Sequence, residues 1–168
     1  EALKAHIFNW IIWPDFSELP SREQPSIKFE VMNPGDKVNI RSREIEMIQV
    51  NHTVPGVGYC LSTPQANIAF SGDTTTNDNL WDVLDSYDHL DLLFVEAAFP
   101  NNDIEISKIS KHYCPQLLGD DVLKMKHRPD IWLTHFKPGD EDLIFKECVD
   151  AMPDFKVHQL KGGEIFKF

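Results

Sequence analysis

Two histidines and an aspartate stand where buried strands would not place them for packing. The run 45–51 leads to His52, the run 68–72 leads to Asp73, and Ile131-Trp132-Leu133-Thr134 leads to His135. Strand ends on one edge of a sheet converge, so side chains there can share one space. Two imidazoles and a carboxylate form a ligand set for zinc, manganese or iron, and a carboxylate can bridge two such ions. Each residue also has a plainer reading. A histidine at a strand end is ordinarily a hydrogen-bonded surface or core group, and Asp73 suits the cap of a following helix. Gly72 lets the backbone turn where the strand stops, and Thr74 suits a cap of the next turn. Lys137, two residues beyond His135, is placed to meet a substrate phosphate or simply to face water.

A second pair carries proton-transfer chemistry. Glu96 closes the otherwise apolar run 92–96, where a buried carboxylate must be paired or hydrogen-bonded. His112 precedes a predicted helix. A carboxylate that orients a histidine makes a proton donor to a leaving alkoxide, although a buried ion pair fixing a loop explains the same residues. His6, His89, His127 and His158 read as ordinary, and Asp88-His89 has no H-x-H before it. The chain holds no G-x-S-x-G, P-loop or G-x-G-x-x-G, so nucleophile-elbow hydrolases, P-loop NTPases and dinucleotide binders lack a site.

The elements that must position these residues follow from periodicity. Residues 1–13 read as a helix and 14–26, with three prolines, as a loop. Extended runs at 27–32, 45–50, 58–62 and 67–71 predict a meander of strands, with a turn at 33–36. A helix over 77–86 precedes the strand 92–96. A polar stretch leads to a helix over 115–126, a strand at 131–134 and a helix over 140–152, and two short strands, 155–159 and 164–168, flank Gly162-Gly163. Strands first, then strand and helix in alternation, predict a mixed sheet backed by helices.

The 168 residues suffice for one core, with 42% hydrophobic and 26% charged side chains. Sixteen Lys and Arg against 27 Asp and Glu give a net charge of −11, which repels polyanions and argues against binding long nucleic acid. An anionic substrate would need local positive charge such as bound metal. No apolar run approaches the roughly 20 residues that span a bilayer, so no membrane partner is expected. Cys60, Cys114 and Cys148 are odd in number without C-x-x-C, pointing to neither a disulfide framework nor a zinc ribbon, and a cytoplasmic setting is the default, with the periplasm as the alternative.

Five segments in order, His52 within 50–60, Asp73 within 69–76, Glu96 within 94–100, His112 within 110–112 and His135 within 133–138, together resemble the metallo-β-lactamase superfamily. Within it they are similar to the class II cyclic-nucleotide phosphodiesterases, and residues 6–16 look like that group too. The resemblance implies an α/β (α+β) chain folded as a metallo-β-lactamase-like αββα sandwich. It further implies two divalent metal ions, usually zinc, with His52 on the first, Asp73 bridging and His135 on the second. Glu96 and His112 fall where related phosphodiesterases and tRNA 3′-processing endonucleases carry an acidic residue and a histidine near the scissile phosphate.

The superfamily's H-x-H-x-D-H motif, which supplies further ligands, occurs nowhere in the chain. Three ligands do not readily hold two ions. The expectation is therefore that residues 1–168 are the C-terminal part of one such domain, inactive alone, with a missing N-terminal half completing the site. The complete enzyme is expected to hydrolyse 3′,5′-cyclic nucleotides (cAMP or cGMP) to 5′-monophosphates, a metal-bridged hydroxide attacking and His112 protonating the 3′ oxygen. Its partner is then a small anionic nucleotide, and a homodimer is a further option. An RNA-processing endonuclease of the same superfamily is the alternative enzyme, and a non-catalytic metal-binding or interaction domain is the alternative outside catalysis.

Overall fold

The β-branched and aromatic runs pair into one sheet whose spatial order is the order of the chain. The computed structural model describes residues 1–168, with strands β1 (Lys37–Ile40), β2 (Arg43–Gln49), β3 (Val57–Ser62), β4 (Asn67–Phe70), β5 (Leu92–Glu96), β6 (Asp130–Thr134) and β7 (Val157–Gln159). The first four strands are antiparallel and joined by short turns. From β4 onward neighbours are parallel, because each connection carries helices long enough to return the chain to the same edge. Those helices are α2 (Asp78–Leu84), α3 (Ile104–Ser110), α4 (Pro115–Val122) and α5 (Glu141–Ala151), with a 3-10 turn at Asn101–Asp103 before α3. The sheet and these helices lie within the compact unit Asn33–Phe168, while Glu1–Met32 forms a unit of its own.

The register decides which side chains make the core. Cys60, Ala69, Leu93, Ile131 and Val157 sit side by side across β3 to β7 on one face. There they pack with Leu80 and Leu84 of α2, Leu118 and Val122 of α4, and Ile144 and Cys148 of α5. The other face carries the row Tyr59, Phe70, Phe94, Trp132 and His158. Phe166 from the chain's end packs edge-on against Phe94 and Trp132, with ring centroids 5.2 and 4.8 Å apart. This mixed sheet with helices on one face is the α/β class that the sequence pattern predicts.

Several boundaries differ from the pattern for identifiable reasons. The helix over 1–13 is confined to α1 (Ala2–His6), because Asn9 Oδ1 accepts the amides of Ile11 and Ile12 while its Nδ2 donates to the Ala5 carbonyl. The turn that follows leaves Trp10, Ile11, Ile12 and Trp13 exposed. Residues 27–32 are extended in pattern but form no strand, since no ladder runs along them. The first strand is instead β1, in the stretch assigned to a connection. Residues 164–168 are likewise no strand: two glycines at φ +90° and +89° turn the chain so that Phe166 lands on the sheet face rather than on an edge. The polar stretch after β5 contains α3, too short for periodicity to reveal.

All three cysteines are free and buried. Burial raises the Cys60 thiol to about 11 and pushes Cys148 up further. At pH 8 the native chain is therefore expected to leave Cys60 and Cys148 unreacted with Ellman's reagent over minutes and to titrate three thiols once denatured. Rapid native reaction of either would contradict this packing.

Candidate functional site

Because β2 is antiparallel to β3, and β3 to β4, β2 runs in the same direction as β4, β5 and β6. The carboxyl ends of four strands therefore open onto one edge of the sheet. Just beyond them come His52, Asp73 and His135, and Glu96 is the last residue of β5 itself. Open sheets of this kind place their sites at such edges because backbone direction alone brings side chains from distant sequence together.

Local backbone makes each placement specific. Gly72, at φ +61°, lies so close to the neighbouring strand that a Cβ there would sit 2.5 Å from the Val57 carbonyl oxygen. Only glycine fits, and it turns Asp73 out of the strand path. His135 is held at φ +63°, a left-handed conformation that costs a non-glycine residue energy and is concentrated at functional positions. His112 follows α3 through Lys111, also left-handed at φ +58°. The buried Ser107 donates to the His112 carbonyl at 2.6 Å, and the His112 amide returns a bond to the Ser107 carbonyl at 3.0 Å. This short helix end therefore projects the imidazole back over the sheet edge.

The imidazoles and the Asp73 carboxylate meet there. His52 Nε2 and His112 Nε2 are 3.4 Å apart, and ligand atoms of His52, Asp73 and His112 all lie within 4.8 Å of one another. His135 Nδ1 is 3.0 Å from Asp73 Oδ1, and its ring stacks on His112 with centroids 5.1 Å apart. Two nitrogens and a carboxylate oxygen converging at this spacing suit a divalent cation of the zinc, manganese or iron class. The geometric triplet contains His112, while His135 adjoins it through Asp73. Lys137 is engaged elsewhere: its ammonium pairs with Asp103 at 3.0 Å and Asp140 at 3.7 Å, and these carboxylates raise its pKa.

Glu96 organises the site from beneath. It is only 1% exposed, and its two oxygens accept four donors. Oε1 takes the Thr74 amide at 2.9 Å and His112 Nδ1 at 2.7 Å, and Oε2 takes the Ala98 amide at 3.1 Å and the Tyr113 amide at 3.2 Å. The bond to Glu96 raises the His112 pKa against the opposing effect of burial. It also holds a hydrogen on Nδ1 and turns Nε2 toward His52 and Asp73.

Known proteins with this arrangement of elements decide the fold. The metallo-β-lactamase fold protein YhfI from Bacillus subtilis superposes with a TM-score of 0.69 at 17% identity, over 81% of this chain and 54% of that one. The chain has the metallo-β-lactamase fold. The short form of human tRNase Z superposes with a TM-score of 0.55 at 16% identity, over 73% of this chain and 42% of that one. In sequence, a probable 3′,5′-cyclic-nucleotide phosphodiesterase of Yersinia pestis is 22% identical over 163 residues, covering 83% of this chain and 47% of that protein. No family model matches. The chain spans about half the length of these relatives.

In this metallo-β-lactamase fold the edge depends on residues that sequence reading passes over. Ser107, Tyr113, Asn77 and Asp121 all support it. Asp121 carries a legible signal, since with Leu118 and Val122 it occupies the apolar stripe of a helix, where an acid needs partners. Two stability predictions follow from the geometry. Gly72→Ala is expected to cost about 2 kcal/mol or more, from the left-handed backbone and the Val57 contact. Glu96→Gln, which replaces an acceptor with an amide donor amid four N–H groups, is expected to cost about 3 kcal/mol. Urea midpoints measure both, and wild-type values would contradict the geometry.

Proposed function

We propose that this edge is the phosphoester-hydrolysing centre of a metal-dependent phosphodiesterase that opens 3′,5′-cyclic nucleotides to 5′-monophosphates. The observation that carries the reading is the Glu96–His112 pair, 2.7 Å apart, with Nε2 directed at the His52 and Asp73 donors. The likeness to a probable cyclic-nucleotide phosphodiesterase supports the substrate. In this reading His52, Asp73 and His135 hold divalent cations, zinc before manganese or iron. Two cations need more donors than three side chains offer, so the proposal includes ligands from outside residues 1–168. Bound there, the cations supply Lewis acidity toward the phosphoryl oxygens and lower the pKa of water.

The chain's own residues supply the proton. Glu96 fixes the imidazole at Nδ1, and Nε2 hands its proton to the departing 3′ oxygen, so that oxygen need not leave as a free alkoxide. Positive charge at this edge admits a small phosphodiester, while the net charge of −11 disfavours a long RNA. The same groups serve an RNA-processing endonuclease, and turnover of cyclic AMP against precursor tRNA by the intact protein separates the two. Preference for precursor tRNA would overturn the cyclic-nucleotide reading.

Variants test the assigned roles. Asp73→Ala in the intact protein is expected to lose metal and turnover together, followed by metal analysis and product release. His112→Ala is expected to keep its metal and to lower kcat on cyclic AMP by about 10²- to 10⁴-fold, the range for a general acid. Its effect on a p-nitrophenyl phosphodiester, whose leaving group needs no proton, is expected to be far smaller. Loss of metal from His112→Ala would make this residue a ligand instead of a proton donor.

A further inference from the structure

Behind the edge lies a second buried carboxylate to which the proposed chemistry assigns nothing. Asp121 of α4 is 2% exposed. Its Oδ2 accepts the Tyr113 hydroxyl at 2.6 Å, the Trp81 indole N–H at 3.3 Å and the Asn77 amide at 3.4 Å, while Oδ1 pairs with Lys124 at 2.9 Å. Burial and the neighbouring Asp121 push the Tyr113 phenol's pKa up, so its hydroxyl stays a donor.

Followed from residue to residue, these bonds close a ring. Asp121 holds the Tyr113 hydroxyl, and the Tyr113 amide donates to Glu96. Glu96 accepts the Thr74 amide, and the Thr74 hydroxyl accepts Asn77 Nδ2 at 3.1 Å. The Asn77 amide returns to Asp121. The ring joins the loop that carries Asp73 to the segment that carries His112 through its two carboxylates. Glu96 touches the imidazole directly, whereas Asp121 holds its sequence neighbour, Tyr113.

We propose that Asp121 is a positioning residue: acting through Tyr113 and Asn77, it sets the distance between the His112 imidazole and the Asp73 loop. The inference rests on the reading of His112 as a working group of the site. Asp121→Asn keeps the shape of the side chain and removes one acceptor oxygen. Val122→Ala, at the next, equally buried position of α4, is the control for destabilisation, since Val122 belongs to the apolar core and has no side-chain hydrogen bond to the ring.

The test uses the 168-residue chain, with the His112 Nδ1–H resonance observed by NMR and zinc(II) binding measured by calorimetry. Asp121→Asn is expected to broaden or abolish the His112 signal and to weaken zinc binding at least tenfold, while Val122→Ala, at a similar loss in urea midpoint, keeps both. A wild-type His112 signal in Asp121→Asn, or its equal loss in Val122→Ala, overturns the proposal. Should Asp121→Asn fail to fold, Tyr113→Phe, which deletes only the hydroxyl, is expected to shift the same signal in the same direction, and an unchanged signal there overturns it. Because the proposed site takes ligands from outside residues 1–168, a wild-type chain that binds no zinc leaves the NMR comparison to decide the role of Asp121, and the metal reading is decided by the Asp73→Ala test in the intact protein.

Discussion

A carboxylate sealed beneath a sheet edge must have every lone pair answered, and Glu96 meets that demand by drawing four donors from three segments far apart in sequence. The requirement is reciprocal. The backbone amides of Thr74 and Tyr113 would be unsatisfied without Glu96, and Glu96 would be a costly buried acid without its donors. Strand β5 ends where it does, the loop after β4 bends where it does and His112 faces where it does because all three settle one account of hydrogen bonds.

The sheet supplies the frame in which that account closes. Parallel pairing of β4, β5 and β6 brings their carboxyl ends to one line, and the meander returns β2 to the same direction. The helices between the parallel strands bury one face in a continuous apolar row and keep the edge open. Asn51 then laces the His52 segment to the Asp73 loop: its amide donates to Thr74 Oγ1, its carbonyl accepts the Thr75 amide, and its side chain donates to the Thr76 carbonyl. The His52 segment is thereby tied to the Asp73 loop by three hydrogen bonds, which suits chemistry requiring fixed geometry.

Much of this was legible in the residues. Alternating apolar runs that stop at His52, Asp73 and His135 announced both strands and a shared edge, and Glu96 at the close of an apolar strand announced a partner. Lys137 shows the limit of the same reasoning. Two residues from His135 it looks like a free cation for a phosphate, yet Asp103 and Asp140, contributed by the 3-10 turn and by the residue before α5, occupy its ammonium. Nothing local to Lys137 reports Asp103, because that contact depends on how the segment after β5 folds back.

What the sequence determined by itself is the class of the fold, the strand and helix order around the edge and the chemical types gathered there, since these follow from periodicity and side-chain chemistry along the chain. Only the tertiary structure decided that His112 stands 3.4 Å from His52, that Glu96 meets it at Nδ1, and that Asp121 closes the ring behind them. Those relations are distances between segments, and a distance between segments is set by packing and by the satisfaction of buried polar groups across the whole unit.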